Sequence, residues 1–200
     1  MDEKALIGQI LAGDQDAFAR LVQAYQKPVY NLCLRMVSNP TDAEDLAQEA
    51  FVKAWRGLRF YKHEAAFSTW LYRLTSNVCI DFLRRQKKTV SLTVEEDAPD
   101  LEVPDAAPLP EEQVLNKEKQ HAVAAAMAQL EEEYRLALTL RVVDDLTYEQ
   151  IAEVLGIKLG TVKSRIARAR ERMRKMLREN GNIFGNISSK NTERRRDHEV

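Results

Sequence analysis

The densest run of chemically capable residues lies between Gly156 and Arg178. Its cations are Lys158, Lys163, Arg165, Arg168, Arg170, Arg172, Arg174, Lys175 and Arg178, against the single acid Glu171. A helix that charge merely solvates mixes signs along its faces. A uniform positive field suits phosphate, and the residues nearest the start of the run, Thr161, Lys163, Ser164 and Arg165, are short or reachable enough to meet base edges. The bland alternative is a two-helix hairpin whose charges only keep it in solution, and the near-absence of acids argues against it.

The elements needed to position these groups are legible around them. In Leu146 to Met173, LTYEQIAEVLGIKLGTVKSRIARARERM, Thr147 and Gln150 have the spacing of a capping box, and Ile151, Ala152 and Leu155 recur at helical spacing behind it. Gly156 is a natural stop. A second helix then opens at Gly160 or Thr161, with Val162, Ile166 and Ala169 turned inward and the cations largely on other faces. This is the pattern of a helix-turn-helix, in which the second helix enters a major groove while its apolar stripe stays docked on the first.

A second cluster, GLRFYKHEAA at 57–66, places Arg59, Phe60, Tyr61, Lys62 and His63 in succession. Cations interleaved with flat rings suit single-stranded nucleic acid, because the cations follow phosphate and the rings accept an unstacked base. The residues alone equally allow Phe60 and Tyr61 to pack the loop down. Asp42, Glu44, Asp45 and Glu49 form an acidic group, but a bundle metal site wants inward carboxylates with a Glu-x-x-His pair. None of His63, His121 and His198 supplies one, so a helix dipole or a protein partner explains the acids better. No Ser-His-Asp set, phosphate-binding glycine loop or convergent acid pair is visible, and neither catalysis nor a cofactor is expected.

The 200-residue chain has a net charge of only -1, which conceals strong segregation. Thr89 to Pro110 holds four prolines and six acids, Glu95, Glu96, Asp97, Asp100, Glu102 and Asp105, with no base. Such a stretch cannot bury enough apolar surface to fold, and is expected to be an extended, flexible linker. Before it, three helices are expected. One runs from about Asp14 towards Asn39-Pro40, with a possible kink at Pro28; a second, capped by Thr41 or Asp42, buries Ala43, Leu46, Ala47, Ala50, Phe51 and Ala54. The third runs from about Ser68 to Lys87, burying Trp70, Leu71, Leu74, Val78, Phe82 and Leu83 and exposing Arg73, Asn77, Arg84 and Arg85. Strand-type alternation is weak throughout, so the expected class is all-α: two small helical domains, 1–90 and 111–180, joined by the linker 91–110 and followed by a disordered tail 181–200. Cys33 and Cys79 sit in apolar helical patterns and read as buried structural thiols. No run is long enough to span a membrane and the start lacks signal-peptide features, so a cytoplasmic location without membrane insertion is expected.

Three segments in this order, DAEDLAQEAFVKAW at 42–55, FSTWLYRLTSNVCIDFLRR at 67–85 and YEQIAEVLGIKLGTVKSRIARARERM at 148–173, resemble a bacterial RNA polymerase sigma factor of the extracytoplasmic-function type. The resemblance spans roughly 5–90 and 111–178. It implies a sigma region two bundle and a sigma region four helix-turn-helix that bind core RNA polymerase, through its beta-prime clamp and beta flap, and direct it to promoter DNA. It makes Asp42, Asp45, Gln48, Glu49, Phe51 and Trp55 candidate polymerase contacts, although Phe51 and Trp55 could be core. Arg59, Phe60, Tyr61, Lys62, His63, Arg73, Asn77, Arg84 and Arg85 become candidates for the melted -10 element. Lys158, Thr161, Lys163, Ser164, Arg165, Arg168 and Arg172 become candidates for the duplex -35 element. An anti-sigma protein, often membrane-associated, usually holds such factors inactive. Many relatives carry Pro where this chain has Lys158, which removes a helix-start constraint and adds a cation. The rival readings are a helix-turn-helix regulator that binds operator DNA alone and a small helical nuclease; the latter would need converging carboxylates.

Overall fold

The computed structural model describes residues 3–90, 111–142 and 145–179. The expected linker and tail lie outside the described residues. Eight α-helices are described: α1 Glu3–Leu11, α2 Gln15–Val37, α3 Pro40–Gly57, α4 Phe67–Val90, α5 Glu111–Ala128, α6 Glu132–Val142, α7 Tyr148–Leu155 and α8 Leu159–Glu179. A single 3-10 turn, Leu58–Phe60, follows α3. The class is all-α, as expected, and α1 is an element that periodicity did not reveal.

Local chemistry sets the helix ends. Asp14 caps α2, its carboxylate accepting from the Ala17 amide at 3.0 Å, and α2 continues through Pro28 to a left-handed Ser38 at φ 59°. The next cap is Asn39, not Thr41 or Asp42. Its side-chain oxygen accepts from the Asp42 amide at 3.1 Å, which puts Pro40 in the first turn of α3, where its missing N–H costs nothing. The third helix starts one residue before the expected Ser68, and α8 opens at Leu159, ahead of the expected Gly160 or Thr161.

α1 to α4 bury Leu6, Ile7, Leu21, Val29, Leu32, Met36, Leu46, Phe67 and Leu71 at their centre. Trp70, Leu74, Phe82 and Leu83 only flank this core, and Leu71, Tyr72, Val78 and Cys79 fill the inner face of α4. Thr75, also buried, donates its hydroxyl to the Leu71 carbonyl at 2.9 Å, whereas the buried Ser76 hydroxyl beside it has no hydrogen-bond partner. Cys33 and Cys79 are buried with their sulfurs 3.7 Å apart. The hydrogen bond to Cys33, together with burial, pushes the Cys79 thiol well above its ordinary range, which disfavours the reactive thiolate.

The C-terminal helices do not stand apart. Leu136, Ala137, Leu140, Leu146, Ile151, Val154, Val162 and Ile166 share one continuous apolar core with α1–α4. α6 packs on α2, and α7 on α4. A smaller cluster of Ala126, Met127, Leu130, Tyr134, Leu138, Ala169 and Met173 ties α5, α6 and α8 to one another.

Candidate nucleic-acid interface

The helix-turn-helix is built as its sequence dictates. The Thr147 hydroxyl accepts from the Gln150 amide at 3.2 Å and the Gln150 side chain accepts from the Thr147 amide at 2.8 Å, closing the capping box. Gly156 ends α7 at φ 64°, a left-handed conformation that costs glycine nothing. The Lys158 carbonyl then receives the Thr161 and Val162 amides at 2.9 and 3.1 Å, starting α8. Val162, Ile166, Ala169 and Met173 are its buried stripe. Thr147→Ala should therefore destabilise the fold by about 1 kcal/mol, read as a lower denaturation midpoint in urea with unchanged slope.

Burial and pairing divide the α8 candidates into two groups. Lys158, Lys163, Ser164 and Arg168 are exposed and Thr161 is half-buried. Ser164 donates its hydroxyl to the Thr161 carbonyl at 2.9 Å, which leaves its lone pairs outward. Arg165 and Arg172 face back onto their own domain. Arg165 is ion-paired with Glu133. Arg172 meets Glu131 at 2.7 Å and stacks 4.5 Å above the Tyr134 ring, and its hydrogen bond to Glu131 raises its already high pKa. Glu131 and Glu133 were not singled out in the sequence, where they lie 41 and 32 residues from Arg172 and Arg165 with no local signal linking them.

The loop after α3 separates its two aromatics. Phe60 is 70% exposed, with the Arg59 guanidinium 4.7 Å above its ring. Tyr61 turns the other way. Its hydroxyl donates to the Ala65 carbonyl at 2.6 Å, and its ring lies 4.5 Å from His63, 5.2 Å from Trp70 and 5.9 Å from Phe67. Tyr25 completes the cluster against Phe67 and donates its hydroxyl to the Glu3 carboxylate on α1. Burial, reinforced in Tyr25 by Glu3, pushes both phenols above their ordinary range. The two readings left open for this loop thus hold for different rings, with Tyr61 packing it down and Phe60 presented to solvent. Lys62 and His63 are exposed beside Phe60, His63 in a left-handed conformation at φ 58°. Arg73, Asn77, Arg84 and Arg85 are exposed along α4.

On α3, Asp45 and Gln48 are exposed, while Asp42 and Glu49 are half-buried, Glu49 pairing with Lys53 at 2.8 Å. Phe51 belongs to the core and holds α3 in place. Trp55 is 42% exposed and packs edge-on against Phe18 at 4.8 Å, next to an exposed Val52 that sequence reasoning did not select. Among the described residues no group of three or more potential metal ligands converges, and no helix is long and apolar enough to cross a membrane.

This combination, a four-helix bundle with an aromatic-basic loop followed by a basic helix-turn-helix, is the layout of two sigma-factor regions. Residues 21–89 match the family model for sigma-70 region 2, and residues 120–173 match that for sigma-70 region 4. The chain is 38% identical over 181 residues to the ECF RNA polymerase sigma factor SigW of Bacillus subtilis, covering 88% of this chain and 97% of that one. It is 39% identical over 180 residues to the RNA polymerase sigma-H factor of Pseudomonas aeruginosa, covering 88% and 93%, and 38% identical over 176 residues to the ECF RNA polymerase sigma-E factor of Escherichia coli K12, covering 86% and 92%. The chain belongs to the extracytoplasmic-function family of RNA polymerase sigma factors, and is a transcription initiation factor. Its fold is shared with CnrH, solved in complex with the cytosolic domain of CnrY, at a TM-score of 0.65 and 23% identity over 86% of this chain and 95% of that one.

Proposed function

We propose that this sigma factor brings core RNA polymerase to its promoters by reading two chemically different forms of DNA. The observation that carries this reading is the pairing, in one chain, of a rigid duplex-reading helix with a solvent-facing aromatic ring among cations. Duplex DNA offers base edges in the major groove, which Thr161, Lys163 and Ser164 at the start of α8 can meet while Lys158 and Arg168 neutralise flanking phosphates. A melted strand instead offers flat unstacked bases, which a ring such as Phe60 can hold by stacking. Arg59, Lys62, Arg73, Arg84 and Arg85 supply the phosphate contacts along the strand, and Asn77 supplies an amide for a base edge.

Asp45, Gln48, Val52 and Trp55 form a mixed acidic and apolar strip on α3, suited to the beta-prime clamp, with Phe51 supporting it from beneath. Strand opening draws on the free energy of these contacts, so the factor needs no catalytic centre of its own. It works in the cytoplasm with the polymerase. Its fold relatives CnrH and RpoE of Bartonella quintana were solved with the cytosolic domain of CnrY and with the anti-sigma factor NepR respectively, which supports an anti-sigma partner for this chain too.

Transcription in vitro from a randomised promoter library, with sigma-free bacterial core polymerase and with or without this protein, tests the reading. Protein-dependent starts downstream of an enriched -35 and -10 pair are expected. Specific DNA binding by the protein alone, with no effect on polymerase, would overturn the reading in favour of an operator-binding regulator.

A further inference from the structure

Neither the DNA-reading residues nor the polymerase-facing strip lies on α1, yet this helix rests against the loop that carries Phe60. Leu6, Ile7 and Ile10 bury one face of α1, and the helix packs on α2 and on the 3-10 turn Leu58–Phe60 itself. Its first residue, Glu3, is half-buried and accepts the Tyr25 hydroxyl of α2. The Ser68 side chain, in the first turn of α4, bonds to the same phenol oxygen. One hydroxyl therefore joins α1, α2 and α4 at the base of the loop.

Above Tyr25 the rings lead edge to face towards that loop. Tyr25 meets Phe67 at 5.5 Å, and Phe67 meets Tyr61 at 5.9 Å. Glu3 lies close enough to Tyr61 to contribute to its raised pKa. Tyr61 in turn closes the 3-10 turn, its amide donating to the Leu58 carbonyl at 3.0 Å, and its hydroxyl ties the rest of the loop to Ala65. The near end of the loop is pinned at Gly57, where an added Cβ would lie 3.2 Å from the Trp70 ring. Phe60 thus stands between a buried Leu58 and a fastened Tyr61 while its own ring faces solvent.

Such an arrangement suits a ring that must receive an unstacked base. Affinity falls by whatever fraction of the time the receiving group is out of place, and backbone ordered only at the moment of capture subtracts its entropy from the stacking free energy. We propose, resting on the reading of Phe60 as a base-stacking ring, that α1 is a positioning element for promoter melting, in which Glu3 acts through Tyr25 and Tyr61 to hold Phe60 in place. If Glu3 and Tyr25 only stabilise the bundle, their loss lowers every activity together.

The test uses the full chain, free and with core polymerase. Glu3→Ala and Tyr25→Phe each remove the bond between α1 and α2, whereas Glu3→Gln keeps a carbonyl acceptor for the Tyr25 hydroxyl. In amide hydrogen exchange of the free chain, protection at the Tyr61 amide should fall roughly fivefold in E3A and Y25F, the weight of one hydrogen bond, and stay near the parent value in E3Q. The core amides of Ala50 and Ala54 in α3 should not change. Melting by the assembled holoenzyme, read by 2-aminopurine in the -10 strand, should fall by roughly two- to fivefold in E3A and Y25F, with binding to core polymerase and to duplex -35 DNA unchanged. In the Phe60→Ala background the same substitutions should have no further effect on melting. Unchanged exchange at Tyr61 overturns the anchoring. Normal melting despite lost protection overturns the role in melting, as does a melting loss that persists without Phe60 or that comes with an equal loss of core binding. If Phe60→Ala alone melts promoters as well as the parent, the reading of Phe60 fails, while exchange at Tyr61 still decides whether α1 anchors the loop.

Discussion

Phe60→Ala should lower open-complex formation by polymerase carrying this factor by roughly 5- to 150-fold, the range that corresponds to losing one base stacked on an aromatic ring, about 1–3 kcal/mol. The loss should fall on promoter melting, with binding of duplex -35 DNA unchanged. Phe60 is 70% exposed and outside the core, so the variant should keep the stability of the parent. Tyr61→Ala should do the reverse in part. It removes a ring that lies against Trp70, Phe67 and His63 together with the bond to the Ala65 carbonyl, and should cost roughly 3 kcal/mol of stability. Tyr61→Phe keeps the packing and loses only the hydroxyl bond, about 1 kcal/mol. Fluorescence of 2-aminopurine placed in the -10 strand reports base unstacking, and urea denaturation reports stability. If Phe60→Ala melts promoters as well as the parent, the loop does not hold a base through this ring.

Wherever a local rule was decisive, the sequence read true. The capping box at Thr147 and Gln150, the stop at Gly156 and the stripe of Val162, Ile166 and Ala169 all depend on neighbours within one helical turn, and all appear as expected. Where two local rules competed, the wrong one was favoured. Thr41 and Asp42 are good caps, but Pro40 fits the first turn so well that Asn39 takes the cap, two residues before Thr41, and the helix begins at Pro40. What depends on tertiary contact could not be read at all. Phe60 and Tyr61 are adjacent aromatics, and only the position of Trp70, Phe67 and Tyr25 decides which of them is buried. In the same way, nothing near Arg165 or Arg172 in sequence announces Glu133 and Glu131, which lie 32 and 41 residues away. The seam between the regions is illegible for the same reason, since Arg135 and the Met36 carbonyl to which it donates are 99 residues apart.

The difference between exposed and paired cations on α8 leads to the other large effect. Lys163→Ala should weaken promoter use by roughly 1–3 kcal/mol if its ammonium reads a base edge. The penalty should shrink to nothing on promoters mutated at the base pair it contacts. Arg168→Ala, if Arg168 serves phosphate, should weaken all promoters alike and reduce the salt dependence of binding by about one unit of slope. Arg172 is committed elsewhere, to Glu131 and the face of Tyr134, so Arg172→Ala should leave base preference and salt slope nearly as they are. The contrast is measured by promoter binding of the assembled holoenzyme across a salt series, on the parent -35 sequence and on each single-base variant. Arg168 and Arg172, about one turn apart on one helix, would then separate by function, because one faces solvent and the other a carboxylate of its own domain. A salt slope that falls as much for Arg172→Ala as for Arg168→Ala would mean that the ion pair with Glu131 breaks on DNA and that Arg172 turns to phosphate.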